Sequence, residues 1–197
     1  DFVAAQEHEV SRAEAADATG ATRTLVAFHL DKLVEAGLLE VSSRRVNGRT
    51  GPGAGRPARL YRRSRAQRSV SLPPRDHRTV AEVLADAAEA VRLDDALYDA
   101  ARRRGEAIAR DTLGGVAPRS LQEMADVLAT RGYEPHIADD VIRMRNCPFH
   151  PLAETHPGLI CGMNLALLEG LVEGAGRFVV ELDPRPADGC CTVMRMR

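Results

Sequence analysis

The chain of 197 residues has no Trp, four Phe and three Tyr. So few rings argue against an aromatic cage, a base-stacking platform for single strands or a tryptophan-lined sugar site. Lysine is almost missing too. Of the 27 basic residues all but Lys32 are Arg, a bias that reads as composition and carries little mechanism. No stretch approaches the roughly 18 apolar residues of a membrane span, and no secretory leader opens the sequence. The reading is therefore a cytoplasmic chain with no membrane partner. Asp1-Phe2-Val3 stands where an initiating Met is absent, so residues are expected to precede it. There is no internal repeat, no GxGxxG and no P-loop. A hydrophobic fraction of 44% is ordinary for a globular protein, and the length allows one domain or two small ones.

The near-zero net charge of −1 conceals a split. Residues 1–78 carry 13 Arg and one Lys against nine acids, whereas residues 79–197 carry 13 Arg against 19 acids. From Ser42 to Arg68 there are nine Arg and no acid. A basic first part joined to an acidic second part points to a polyanion partner for the first part alone.

Local signals divide the chain further. Ser11 with Glu14 is a capping-box spacing that opens a helix through Ala18, and Thr19-Gly20 ends it. Thr22 caps a second helix on which Leu25, Val26, Leu30, Leu33 and Val34 recur at helical spacing before Gly37. Of these, Leu25, Leu30 and Leu33 are expected to pack on the first helix. Leu38 to Ser42 alternates like a strand, residues 44–57 are a Gly-, Pro- and Arg-rich loop, and Ala58 to Arg62 reads as a returning strand. Helix, turn, helix, strand, basic loop and strand make a winged helix-turn-helix.

In such a unit the start of the second helix enters the major groove. Thr22, Arg23 and Thr24 would meet base edges there, with Ala27, Phe28 and His29 one turn on. Lys32 would reach a phosphate, and so would Arg44, Arg45, Arg49 and Arg56 from the loop and its flanks. A plain surface helix position is the alternative for His29.

The remainder reads as a polar linker over 66–74, central helices over 75–132 and a small α+β domain over 133–197 with an antiparallel sheet. The fold class is α+β. The central helices, rich in small apolar residues, are expected to join two subunits, and Arg102-Arg103-Arg104 is expected to be exposed on the second of them.

All four cysteines, Cys147, Cys161, Cys190 and Cys191, fall in the last third. In a reducing compartment a cluster of this kind suggests metal or redox chemistry more than a disulfide framework. The spacing is not that of a zinc ribbon. A cysteine at a strand end, one near a helix start and one at a strand start can nevertheless converge, and thiolates are soft ligands for zinc or for iron–sulfur iron. If Cys190 and Cys191 lie on a strand they face opposite sides, so one of them joins the site. His150 and His156 are candidates for a fourth ligand. Buried, inert thiols are the alternative.

The run from Ala21 to Leu39 (ATRTLVAFHLDKLVEAGLL), with Gly55-Arg56-Pro57 and Tyr61, resembles the recognition-helix segment and wing of ArsR-type winged-helix regulators over residues 1–65. The segment Asn146-Cys147-Pro148-Phe149-His150 with His156-Pro157, Cys161 and Cys190-Cys191 is similar to the sensory domain of regulators that repress iron–sulfur-assembly operons. That resemblance implies a cluster held by Cys147, Cys161 and one of Cys190 or Cys191. His150, His156 and Met163-Asn164 depart from it and leave zinc open.

The expectation is a regulator, a repressor in its sign, that binds a double-stranded operator as a homodimer and is not an enzyme. Its cofactor is an iron–sulfur cluster, with zinc as the alternative. A DNA-binding protein with only a structural zinc is the second reading. A Cys-dependent organometal enzyme, in which Cys147 and His150 would form a nucleophile pair, is the third.

Overall fold

The computed structural model describes residues 2–6, 8–44, 57–64, 75–114, 117–183 and 189–197. The α+β class holds, with seven α-helices and two antiparallel sheets among the described residues. The chain forms two compact units, Asp1–Arg75 and Asp76–Arg197.

The first unit begins with a 3-10 turn at Val3–Ala5, followed by β1 (Val10–Ser11) and α1 (Arg12–Thr19). Then come α2 (Arg23–Glu35), β2 (Leu39–Arg44) and β3 (Ala58–Arg63). The capping box forms as its spacing dictates: the Ser11 hydroxyl accepts from the Glu14 amide at 3.2 Å, and the Ser11 amide donates to the Glu14 carboxylate at 2.7 Å. Gly20 closes α1 at a left-handed φ of 67°, a conformation that a side chain would oppose. Thr22 then caps α2.

The sheet order is β1-β3-β2, which puts Tyr61 of β3 between Val10 and Val41. Strand β1 has only two residues, too short for alternation to announce it in the sequence. Val3, Val10, Ala15, Ala16, Val26, Leu30, Leu39 and Tyr61 form the core. Leu25 and Leu33 do not pack inward as expected; both are exposed. Val26 and Leu30, one turn apart, with half-buried Val34, make the inward stripe of α2, and their neighbours in sequence point about 100° away from it.

The second unit contains α3 (His77–Ala90), α4 (Asp94–Leu113), α5 (Leu121–Ala129), β4 (Pro135–Ala138) and β5 (Val141–Met144). It continues with α6 (His150–Thr155), α7 (Pro157–Val172), β6 (Phe178–Leu182) and β7 (Thr192–Met196). Asp139 and Asp140 both take positive φ and form the tight turn between β4 and β5. Sheet order is β4-β5-β7-β6, so the last strand is central. The core gathers Met124, Leu128, Tyr133, Ile142, Met144, Leu168, Leu171, Phe178 and Met194 between α5, α7 and the sheet.

The stretch over 75–132, expected as a separate helical region, lies in one unit with the stretch over 133–197 because α4 lies along α7. Two glycines set that approach. A Cβ at Gly105 would come 2.0 Å from the Leu167 carbonyl oxygen, and one at Gly170 would come 2.1 Å from that of Arg102. Arg102 is half-buried here rather than exposed, and its guanidinium meets the Glu169 carboxylate at 2.5 Å.

The expectation that no stretch is apolar enough to span a bilayer is corrected by Pro157–Ala175, which meets that test with a mean hydropathy of 1.3. In the fold, α7 contributes Leu159, Ile160, Ala166, Leu168, Leu171 and Val172 to the buried interior, which accounts for its hydropathy.

Candidate functional site

Two groups of residues carry chemistry, one in each unit. In the first, α2 turns an open face to solvent. Thr22, Arg23, Thr24, Phe28, His29 and Lys32 are all exposed there, while Ala27 is half-buried. Leu25 and Phe28, at 49% and 58% exposure, add an apolar element to a mostly polar face. Leu25 was not anticipated on this face; its period is compatible with either side of the helix. Arg44, at the end of β2, lies 3.6 Å from Glu9. Arg45, Arg49 and Arg56 lie outside the described residues.

A charged lock holds α2 in place. The Arg12 guanidinium of α1 donates to both oxygens of Asp31 on α2, at 3.0 and 2.7 Å, and through Nε to the Tyr61 hydroxyl at 2.7 Å. Tyr61 donates in turn to Asp31 at 2.9 Å, and Arg59 of β3 does so at 3.1 Å. Burial alone would raise the Asp31 carboxyl, but the hydrogen bonds from Tyr61 and Arg12 hold it below the ordinary carboxylate value. One carboxylate thus ties α1, α2 and β3 together. Sequence spacing gave no sign of it, because the partners lie 19 to 49 positions apart.

In the second unit the sheet brings the cysteines together. Strands β5 and β7 are antiparallel neighbours, so the end of β5 lies beside the start of β7. The Cys190 amide donates to the Met144 carbonyl at 2.8 Å, and the chain that leaves β5 at Met144 reaches Cys147 three residues later. Gly189 permits the approach, since a Cβ there would sit 2.7 Å from that same carbonyl oxygen. Cys161 lies on α7, which packs against β6 and β7.

All four cysteines are free thiols. Cys147 and Cys191 each interact electrostatically with Cys190, and Cys191 also with Cys161. The expectation that Cys190 and Cys191 face opposite sides of a strand is corrected. β7 starts at Thr192, so both residues precede it and both reach other cysteines.

Proton sharing polarises the series. Hydrogen bonds from Cys147 and Cys191 pull the Cys190 thiol far below its usual value, against the effect of its burial. The same contacts with Cys190, reinforced by burial, push Cys147 and Cys191 up.

A buried amide supports it. Asn164, three residues beyond Cys161 on α7, donates to Cys190 Sγ at 3.2 Å and to the Thr192 hydroxyl at 3.0 Å, and it accepts from the Tyr133 hydroxyl at 2.6 Å. One amide in a helix whose only other polar side chains are Cys161 and Glu169, on the same face as the cysteine, is the sequence signal that could have identified it.

The histidines are differently engaged. His156 is buried, with Nδ1 3.0 Å from Glu89 and Nε2 3.6 Å from Asp86, both on α3. His150 turns its Nε2 to Glu154 at 3.3 Å, and its backbone amide donates to the Cys147 carbonyl at 3.0 Å.

Among the described residues no three His, Cys, Asp or Glu side chains meet in an arrangement that could hold a metal ion as they stand. In chemistry the four thiols suit a thiophilic ion, and the Asn164 amide is oriented toward one of them, Cys190. Comparison of the chain with family models, with curated proteins and with solved structures finds no match.

Proposed function

We propose that the chain is a DNA-binding transcriptional regulator, a repressor acting as a homodimer, whose second unit holds an iron–sulfur cluster or a metal ion through its cysteines. The first unit is read as a winged helix-turn-helix, with α2 as the recognition helix and β2–β3 as the wing. The observation that carries this reading is the open face of α2. A helix that buries Val26 and Leu30 and presents Thr22, Arg23, Thr24, Phe28, His29 and Lys32 has the form the major groove admits. The Arg12–Asp31–Tyr61 lock supports it, because a recognition helix must be held rigidly in place.

Cys147, Cys161, Cys190 and Cys191 are the residues that would hold the inorganic group, and His150 and His156 are occupied by carboxylates. An iron–sulfur cluster supplies redox sensitivity to such a site, and zinc supplies structural cross-linking. Four sulfur donors favour zinc as a second reading, since a complete set of four thiolates is the usual structural zinc site. For the group to tune DNA binding, it must bind two arrangements of the dimer with different free energies.

The test is selection of bound duplexes from a random-sequence pool by the anaerobically purified full chain, followed by titration of the selected duplex at several salt concentrations. The reading requires an enriched inverted repeat and an affinity that falls steeply with salt. Retention of no duplex above background would overturn it.

A further inference from the structure

Helix α2 keeps two large apolar side chains out of the core of its own unit. Leu25 and Phe28 stand in solvent, while Val26 and Leu30 are buried. At about 100° per residue, positions 25, 28 and 32 fall in one sector of the helix, and it points away from the stripe of Val26, Leu30 and Val34. Leu25 and Phe28, three positions apart, are surface neighbours and not isolated exposed residues. Phe28 meets His29 edge-on, with ring centroids 5.5 Å apart, so its ring contact also lies on the surface of the helix.

The groups around this pair narrow what it can meet. Residues 22–30 include Arg23 and His29 and no acid. Of the two carboxylates on α2, Asp31 receives Arg12, Arg59 and Tyr61, and Glu35 accepts from Lys32 at 2.6 Å. The first half of α2 thus offers two apolar side chains among threonine hydroxyls and a guanidinium, with each acid of the helix taken up by a partner. Two residues are far short of the broad apolar face with which a helix lies in a lipid surface. The combination suits a polyanion that displays small apolar groups in a groove wide enough for a helix, and the major groove of DNA is such a surface.

We infer that Leu25 and Phe28 read thymine in the operator, by seating its 5-methyl group against their side chains. The inference rests on the proposed function and deepens it, because it names the base that the apolar part of the face selects. Thr22, Arg23 and Thr24 exchange hydrogen bonds with base edges. A leucine side chain and a phenyl ring exchange none, and the thymine methyl is the apolar group that a base pair presents in the major groove. Selection then comes from burial and not from hydrogen bonding. One methyl group removed from water is worth about fourfold in affinity. The same contact prefers thymine to cytosine, and it prefers thymine to uracil, which differs from it by that methyl alone.

Uracil substitution in the selected duplex tests this. The duplex enriched by the full chain is remade with deoxyuridine for thymidine at one position at a time, and each version is titrated with wild type, Leu25→Ala and Phe28→Ala at one salt concentration. Wild type loses about fourfold in affinity at one or more fixed thymines of each half-site. At such a position at least one of the two variants binds the uracil and thymine duplexes equally. Both side chains are exposed, so helix content and melting temperature stay unchanged in the variants. A selected site with no fixed thymine, or no loss with uracil at any position, overturns the thymine reading and leaves the DNA-binding reading intact. A uracil loss of equal size in wild type and in both variants gives the methyl to another residue and overturns the roles of Leu25 and Phe28. A wild type that retains no duplex overturns both readings, and self-association that is then lost in the double variant would assign the pair to contact between copies.

Discussion

The two units fix their working parts by opposite means. In the first, a charged lock on the protein's edge holds α2, with Asp31 receiving Arg12, Arg59 and Tyr61 where each of the three charged side chains is still partly exposed to water. In the second, a neutral amide in the interior holds the thiol series, with Asn164 linking Tyr133, Cys190 and Thr192. Helix α2 buries only Val26 and Leu30, and directional charge pairs from Arg12 and Arg59 to Asp31 help set its position. A buried amide orients the Cys190 sulfur without adding charge. The difference predicts that damage in one unit leaves the other standing.

The largest effect is expected at the α4–α7 contact. Gly170→Ala would drive a methyl into the Arg102 carbonyl, and backbone on both sides has no room to yield. It should cost about 3 kcal/mol or more. Hydrogen exchange followed by mass spectrometry should show protection lost in peptides of 76–197 and kept in those of 1–75. Equal loss in both would break the comparison.

Next is Asn164→Ala, which strands the Tyr133 hydroxyl and the Thr192 hydroxyl in the interior. A loss of about 2–3 kcal/mol is expected in denaturant unfolding, together with a change in the alkylation rate of Cys190. A loss in stability with no change at Cys190 would mean that the amide serves packing alone.

Tyr61→Phe is milder, at about 1 kcal/mol, since Arg12 and Asp31 keep each other. Its companion test is acid. The Asp31 carboxyl titrates below its ordinary value in the folded state, so its stabilisation is present above about pH 4. It is lost as the pH falls through the folded value. Asp31→Asn should flatten this acid limb of the stability profile.

The smallest change in stability belongs to the open face of α2. Phe28→Ala and Arg23→Ala should stay within about 0.5 kcal/mol of wild type in unfolding. If Arg23 reads a guanine edge, Arg23→Ala should still cost roughly 1–3 kcal/mol of discrimination between selected and random duplex. Equal loss on both would make Arg23 a phosphate contact. Replacing Arg44, Arg45, Arg49 and Arg56 by Ala should flatten the salt slope by up to about one unit for each phosphate that the wing no longer neutralises.

Much of the architecture could be read from the sequence because its signals were local. Ser11 with Glu14, Gly20, Thr22 and Gly37 mark the ends of α1 and α2 within a few residues. The end of α4 at Leu113 is likewise marked locally, by Gly114. What escaped was long-range. Nothing near Asp31 announces Arg12 or Tyr61, and β1 is visible only because β3 pairs with it. The meeting of Cys147 with Cys190 follows from the adjacency of β5 and β7, a fact of topology that no spacing carries. Alternation misled on Cys190 and Cys191 because it was applied two residues before the strand begins.

The account stands most directly on the inorganic content of the full chain, purified without oxygen, with iron, zinc and acid-labile sulfide measured per chain. It predicts iron with sulfide, or zinc, near stoichiometry in the wild type, and severe loss in each of Cys147→Ser, Cys161→Ser and Cys190→Ser. Neither iron nor zinc near stoichiometry would contradict it and leave four half-buried free thiols in the second unit.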